Sequence, residues 1–255
     1  MFDQTLHLRA LLAEFESVCP SDIEYWLDAG TLLGHQRGGK FIPWDDDVDV
    51  GVLRGDFNRL VRELSQYSSS RFALHLPGSR NFIPINFDSI KIRDTWTSGY
   101  ENGYSPDSVP EAYSGLALDI VPFDRSPIKP FFGLVVLFSK VHSKMRYKLY
   151  KHGAAKSKIL RLMYVAYSFS FKVFLSVVPK TRAYLVPSWF GSYPRRRHLA
   201  LDIFPLKAVV FEGVKVSTPR DPSPYLELLY GIDFMEPPTP ENRKSHFEKI
   251  TSKLS

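Results

Sequence analysis

Residues 41–52 read Phe-Ile-Pro-Trp-Asp-Asp-Asp-Val-Asp-Val-Gly-Val, so Asp45, Asp46, Asp47 and Asp49 crowd one otherwise apolar run. In an extended backbone alternate side chains share a face. Asp45, Asp47 and Asp49 then stand together, with Val48, Val50 and Val52 on the opposite face. Like charges this close repel and raise one another's pKa unless a cation sits among them. Mg²⁺ takes oxygen ligands and commonly accompanies phosphates. The pattern therefore points to metal-dependent phosphoryl transfer on a strand. Asp46 faces the other way and reads as structural. Asp45, directly after Trp44, serves either the site or the turn leading into it. Two plainer readings compete. A solvated acidic turn suits Pro43 and the Asp run, but it does not continue as Val-Asp-Val-Gly-Val. A calcium loop of the EF-hand type matches Asp45, Asp47 and Asp49, yet it has Val50 where its glycine belongs and Asp56 where its Glu belongs.

The elements that must position these carboxylates precede them. Residues 23–27 read as a short strand, and Ala29-Gly30-Thr31-Leu32-Leu33-Gly34 turns from it into a helix. Gly30 lets the backbone approach a ligand and Thr31 is suited to cap the helix. Free N–H groups at a helix start suit a phosphate. Arg37 and Lys40 lie between this turn and the acidic strand, where they meet either a diphosphate or solvent. In Ile90-Lys91-Ile92-Arg93, alternation puts Lys91 and Arg93 on one face. Cations there neutralise phosphate oxygens or merely charge an exposed strand edge.

The string from Tyr25 to Gly34, then Arg37, then Phe41 to Asp49, resembles the LicD family. That family includes bacterial phosphocholine transferases and animal fukutin-type glycan phosphotransferases. It lies within the nucleotidyltransferase-fold superfamily, where a Gly-Thr or Gly-Ser turn and an Asp-x-Asp strand share one active site. Leu116 to Asp124 resembles the family's second acidic strand, which would supply Asp119 as a third carboxylate. The stretches Ile203 to Lys207, Phe211 to Val216, Pro219 to Tyr225, and Tyr230-Gly231 look like its C-terminal pattern, and Arg243 to His246 like its last signature. The resemblance is weak from about residue 127 to 200. The zinc-binding insert of some animal members is not evident, because Cys19 is the only cysteine.

The resemblance implies an α+β fold, a nucleotidyltransferase-like mixed sheet flanked by helices, with a helical insert. It implies a transferase that moves phosphocholine or a phospho-polyol from a CDP-alcohol donor to a sugar hydroxyl of a glycan or lipid-linked glycan. Asp47, Asp49 and Asp119 would be both catalytic and metal-binding, holding Mg²⁺ with Mn²⁺ as a substitute. Gly30, Thr31, Arg37, Lys91 and Arg93 would bind donor and nucleotide. The same carboxylates would serve a nucleotidyltransferase that releases pyrophosphate. A non-catalytic membrane-associated scaffold is the reading outside enzymology, and the intact Gly30-Thr31, Asp47-x-Asp49 and Asp119 set argues against it.

Length suits one domain over residues 1–255, and the 44% hydrophobic content supports a large core. Met1-Phe2-Asp3-Gln4 lacks a basic start followed by an apolar run, and a single cysteine cannot form an internal disulfide. A cytoplasmic location, peripheral on the inner face of the membrane, is the expectation. The seven histidines form no ligand-spaced pair. Nucleic acid is not an expected partner: no recognised module appears, and an acidic site repels phosphodiester backbones.

The net charge of +6 is unevenly placed. Lys140, Lys144, Arg146, Lys148, Lys151, Lys156, Lys158 and Arg161 follow and precede apolar runs at 131–138 and 162–178. Neither run reaches the roughly 18–20 uninterrupted residues of a membrane span. Phe131, Leu134, Val135, Phe138, Val141, Met145 and Leu149 follow helical spacing, with Lys140, Lys144, Lys148 and Lys151 on another side. Such a helix lies on an anionic membrane or packs on a core with its lysines solvated. The remaining pattern predicts helices at Gln4–Val18, 56–67 and 225–230, and strands at 72–76, 83–87, 89–93 and 116–121. It also predicts a polar loop at 102–111, a mostly helical stretch at 128–190, and a hairpin at 209–216 turning at Glu212-Gly213.

Overall fold

The computed structural model describes residues 2–76, 89–100, 114–151, 158–188, 196–243, 245, 247 and 250–253, with the side chains of 146–151 outside the description. The strand expected at 83–87, the polar loop at 102–111, Lys156, His246 and the side chains of Arg146, Lys148, Leu149 and Lys151 therefore lie outside the described residues.

The chain opens with helix α1 (Gln4–Val18), capped by the Asp3 carboxylate, which accepts from the Leu6 N–H. Leu8, Leu11, Leu12 and Phe15 recur at helical spacing and are buried. Strand β1 (Tyr25–Leu27) leads into helix α2 (Ala29–Gly38), and β2 (Asp47–Leu53) into α3 (Arg54–Glu63). Next come β3 (Phe72–His75), β4 (Ile90–Asp94), the short β5 (Thr97–Ser98) and the long β6 (Ala117–Pro127). These make an α+β architecture around a seven-stranded mixed sheet. Its main order is β1-β2-β6-β4-β3, and only β2 and β6 run parallel there.

The inner face follows from the two-residue period of strands. Val48, Val50 and Val52 of β2, with Leu118 and Ile120 of β6 and Ile90 and Ile92 of β4, are buried in one cluster with the α1 leucines and Phe15. Trp26 is fully buried against Gly51, its cross-strand partner; a Cβ on Gly51 would come within 2.5 Å of the indole. Arg54 at the start of α3 grips Asp124 of β6 through two bonds of 2.9 and 2.8 Å.

After β6 the chain leaves the sheet as two helices, α4 (Lys129–Lys151) and α5 (Lys158–Val177). The expectation of a mostly helical stretch to residue 190 needs correction, because Lys180–Pro187 is strand β7, paired antiparallel with β6. Its Leu185 and Val186 are buried, and β6 is long enough to hold β2, β4 and β7 along its length. The sequence also understated α5, whose 20 residues are long and apolar enough to cross a membrane despite Ser168, Ser170 and Lys172. Of the apolar face that spacing drew on α4, Leu134 and Val141 are exposed while Val135 is buried, together with Val136 from outside that face.

The chain then forms β8 (His198–Leu199), a short helix α6 (Ala200–Ile203), the hairpin β9 (Lys207–Phe211) and β10 (Val214–Thr218), and helix α7 (Pro222–Tyr230). The hairpin turns at Glu212 and Gly213, both at positive φ. Strand β11 (Thr251–Ser252) pairs with β5.

Candidate active site

The register of three strands builds one acidic row. Asp49 of β2 stands directly beside Asp119 of the parallel β6, and Asp119 stands beside Lys91 of the antiparallel β4. His75 of β3 is the next partner beyond Lys91. Two residues along, on the same face, a second row runs through Asp47, Ala117 and Arg93. Asp47, Asp49 and Asp119 each place a carboxylate oxygen within 4.8 Å of the others.

This crowding has electrostatic consequences. Burial, then the charges of Asp47, Asp119, Asp28 and Asp45, push the Asp49 carboxyl well above the usual range. Lys91 Nζ donates to Asp119 Oδ2 at 2.8 Å and offsets part of that charge. The other oxygen, Asp119 Oδ1, is buried without a hydrogen-bond partner among the described residues. A hard cation with oxygen ligands suits such a donor set, and a buried unpaired carboxylate oxygen is otherwise costly. Asp45, Asp46 and Asp47 form a second acidic group of similar spacing. Asp46, however, is buried and accepts from the Ser245 hydroxyl and from the Phe247 N–H at 3.1 Å. It ties the C-terminal segment to the acidic strand, the structural role its opposite orientation predicts.

The glycine turn is held from below. Asp28, not Thr31, caps α2: its carboxylate accepts from the Ala29 N–H at 2.7 Å. Thr31 is buried, and its Oγ1 accepts from the Asp49 N–H at 2.9 Å, locking the turn to the acidic strand. The Asp28 N–H donates to the Asp49 carbonyl at 2.9 Å, and Ala29 sits at φ +40°. An L-residue there is strained, and the bonds on either side hold it. Asp45 lies against the turn; a Cβ on Gly30 would come within 2.2 Å of Asp45 Oδ2. A carboxylate at a helix N-terminus is electrostatically favoured.

The remaining expected residues divide. Lys91 reaches the acidic row. Arg93 shares its face but is buried, with Nη1 donating to the Gly115 carbonyl at 2.8 Å. Arg37 donates from Nε to the Phe234 carbonyl at 2.9 Å and from Nη2 to the Glu236 carbonyl at 2.8 Å, tying the end of α2 to the loop after α7.

Four residues of this neighbourhood were not singled out as site residues in the sequence. Asp28 could have been found as an acidic residue just before a helix start. Tyr225 of α7 is remote in sequence, yet its hydroxyl donates to Asp28 Oδ1, and His198 stacks on its ring at 3.9 Å. Burial raises the Asp28 carboxyl although Tyr225, Ala29 and Arg196 oppose the shift. Tyr230, at the end of α7, has its phenol pushed upward by burial and then by Asp49, Asp45, Asp28 and Asp47. His75 enters only through strand pairing.

A mixed sheet flanked by helices, with paired carboxylates beside a Gly-Thr turn, is consistent with a nucleotidyltransferase-like fold. Residues 22–102 match the family profile described as LicD/FKTN/FKRP, nucleotidyltransferase domain. The lipopolysaccharide cholinephosphotransferase LicD of Haemophilus influenzae is 42% identical over 60 residues, 23% of each chain. The ribitol 5-phosphate transferase FKRP of Mus musculus is 53% identical over 34 residues, 13% of this chain and 7% of its own. An uncharacterized protein of Rickettsia prowazekii is 40% identical over 52 residues, 20% of each chain. The chain spans less than a quarter of the length of these curated relatives. Over this segment the chain is similar to the LicD family.

Proposed function

We propose that this protein is a metal-dependent transferase that moves a phospho-alcohol group, such as phosphocholine or a phospho-polyol, from a CDP-linked donor to a sugar hydroxyl. The acceptor would be a cell-surface glycan or its lipid-linked precursor, handled at the inner membrane face. The observation that carries the reading is the convergence of Asp47, Asp49 and Asp119 within 4.8 Å, with Asp119 Oδ1 buried and unpartnered among the described residues. The relatives' names, a cholinephosphotransferase and a ribitol 5-phosphate transferase, supply the substrate class.

In this reading the three carboxylates hold Mg²⁺ or Mn²⁺. Held there, such an ion would supply charge neutralisation on a diphosphate. The phosphorus–oxygen bond to CMP breaks, a new one forms to the sugar oxygen, and the hydroxyl proton leaves. Asp119 either completes the ligand set or takes that proton, its Oδ2 steadied by Lys91. Lys91 and Arg93 bring positive charge to the face where donor phosphates would lie. Gly30 and Thr31 form the turn the donor approaches, Asp28 and Tyr225 hold that turn, and Arg37 positions the loop after α7.

Phosphorus NMR tests the reading. A CDP-alcohol with a suitable glycan should yield CMP and a phosphodiester-linked alcohol, only in the presence of a divalent cation. The second reading, nucleotidyl transfer, rests on the same carboxylates. Pyrophosphate released from a nucleoside triphosphate, with no CMP from any CDP-alcohol, would replace the first with the second.

A further inference from the structure

From Arg125 to Leu201 the sequence carries 16 of its 33 Lys and Arg residues and none of its 27 Asp and Glu residues. This acid-free segment contains the α4–α5 pair. On its inner side α5 packs Phe171 and Leu175 against Val135 and Val136 of α4 and Val186 of β7. Its outer side is equally apolar and is covered by none of the described residues: Leu162 is 71% exposed, Phe169 68% and Val177 73%. Among the described residues only 11% of its apolar window is buried, whereas a core helix is mostly buried. At about 100° per residue, Leu162, Phe169, Val173 and Val177 fall within about 80° of one another, and Lys158, Arg161 and Lys172 form a stripe beside them.

We infer that the outer face of α5 docks in the plane of an anionic lipid bilayer, its apolar stripe among the acyl chains and its basic stripe at the headgroups. Three observations select this occupant. A second copy of the chain meeting this face about a two-fold axis would set cations against cations, with no acid in the segment to pair with them. Lipid offers both chemistries side by side, and the apolar and basic stripes run along the same helix. A spanning hairpin would have to carry Lys151, Lys156 and Lys158, between or at the ends of the helices, through hydrocarbon. The hairpin grows from the end of β6 opposite Asp119, about 26 Å along the strand from it. The inference stands apart from the transferase reading.

Co-sedimentation of the full chain with vesicles tests it without any activity readout. Vesicles of equal parts phosphatidylcholine and phosphatidylglycerol should bind the protein at low salt. Pure phosphatidylcholine should bind it at least several-fold less. High salt should weaken but not abolish binding to the mixed vesicles. Leu162→Glu with Phe169→Glu should remove the salt-resistant fraction. Lys158→Glu, Arg161→Glu and Lys172→Glu together should remove the salt-sensitive one. All these positions are exposed, so circular dichroism and Tm should match wild type. Phe169→Trp should become quenched by brominated phosphatidylglycerol beyond the wild-type baseline. Absence of wild-type binding to the mixed vesicles at low salt would overturn the inference. So would binding indifferent to both variant sets, or a dimer by light scattering that Leu162→Glu with Phe169→Glu dissolves while vesicles bind nothing.

Discussion

The sheet and the helical hairpin are unsatisfied in opposite ways. The sheet brings Asp47, Asp49 and Asp119 within 4.8 Å of one another and buries an oxygen among them that is unpaired among the described residues. The hairpin has no carboxylate side chain and presents a large apolar face that no described residue covers. One region costs electrostatic free energy that a cation would relieve; the other costs hydration free energy that an apolar phase would relieve. A chain of net charge +6 thus conceals an acidic row and a basic, apolar hairpin, and only the division by region reveals either.

The largest expected effect is on the acidic row. Asp47→Asn, Asp49→Asn or Asp119→Asn should each lower turnover by about a thousandfold, some 4 kcal/mol of barrier. Metal-free Asp49→Asn protein should nevertheless melt higher than wild type, since repulsion is relieved. Turnover and Tm measured on the same samples check both; normal turnover in all three would break the contrast between a working sheet and a docking hairpin.

A buried carboxylate with proper partners gives the opposite sign. Asp94 is fully buried, accepts from Arg71 Nη2 at 2.6 Å and meets His7 Nδ1 at 2.7 Å. Burial alone would raise its carboxyl, but Arg71 and His7 outweigh that and hold it below the usual carboxylate value. Its stabilising contribution is present above the unfolded value of about 3.9 and is lost as pH falls through the lowered one. The raised Asp49 behaves inversely in metal-free protein, losing stability as pH rises from about 4 through its elevated value. Asp94→Asn should cost about 3 kcal/mol at neutral pH. Chemical denaturation at several pH values should show the acid-side loss vanish in Asp94→Asn and the neutral-side loss vanish in Asp49→Asn.

A smaller change sharpens the site itself. Gly30→Ala must displace the Asp45 carboxylate, for about 1 kcal/mol of stability. Kinetics on this variant should show a larger loss in kcat than its Tm predicts, because the turn beside the carboxylates moves. The smallest effect belongs to the hairpin. Leu162→Ser and Phe169→Ser should change stability in solution by no more than about 0.5 kcal/mol, because both side chains are already in water. A loss of several kcal/mol in denaturant titrations would mean that the face is packed after all.

Local rules carried the sequence a long way. The two-residue period of a strand put Asp47 and Asp49 opposite Val48, Val50 and Val52, and put Lys91 with Arg93, with no knowledge of neighbouring strands. Helical spacing gave α1 its bounds at Gln4–Val18, because cap and buried stripe lie within one segment. Family resemblance named Asp119, but only the parallel pairing of β2 with β6 set it beside Asp49, and only antiparallel β4 brought Lys91 to it. Tyr225 beneath Asp28, Ser245 on Asp46 and Arg37 on the Phe234 carbonyl join residues nearly 200 positions apart. Composition also could not tell whether α5 was core or surface. A period is written in consecutive residues, whereas register, long-range partners and exposure depend on which elements meet, and that is decided by packing the whole chain.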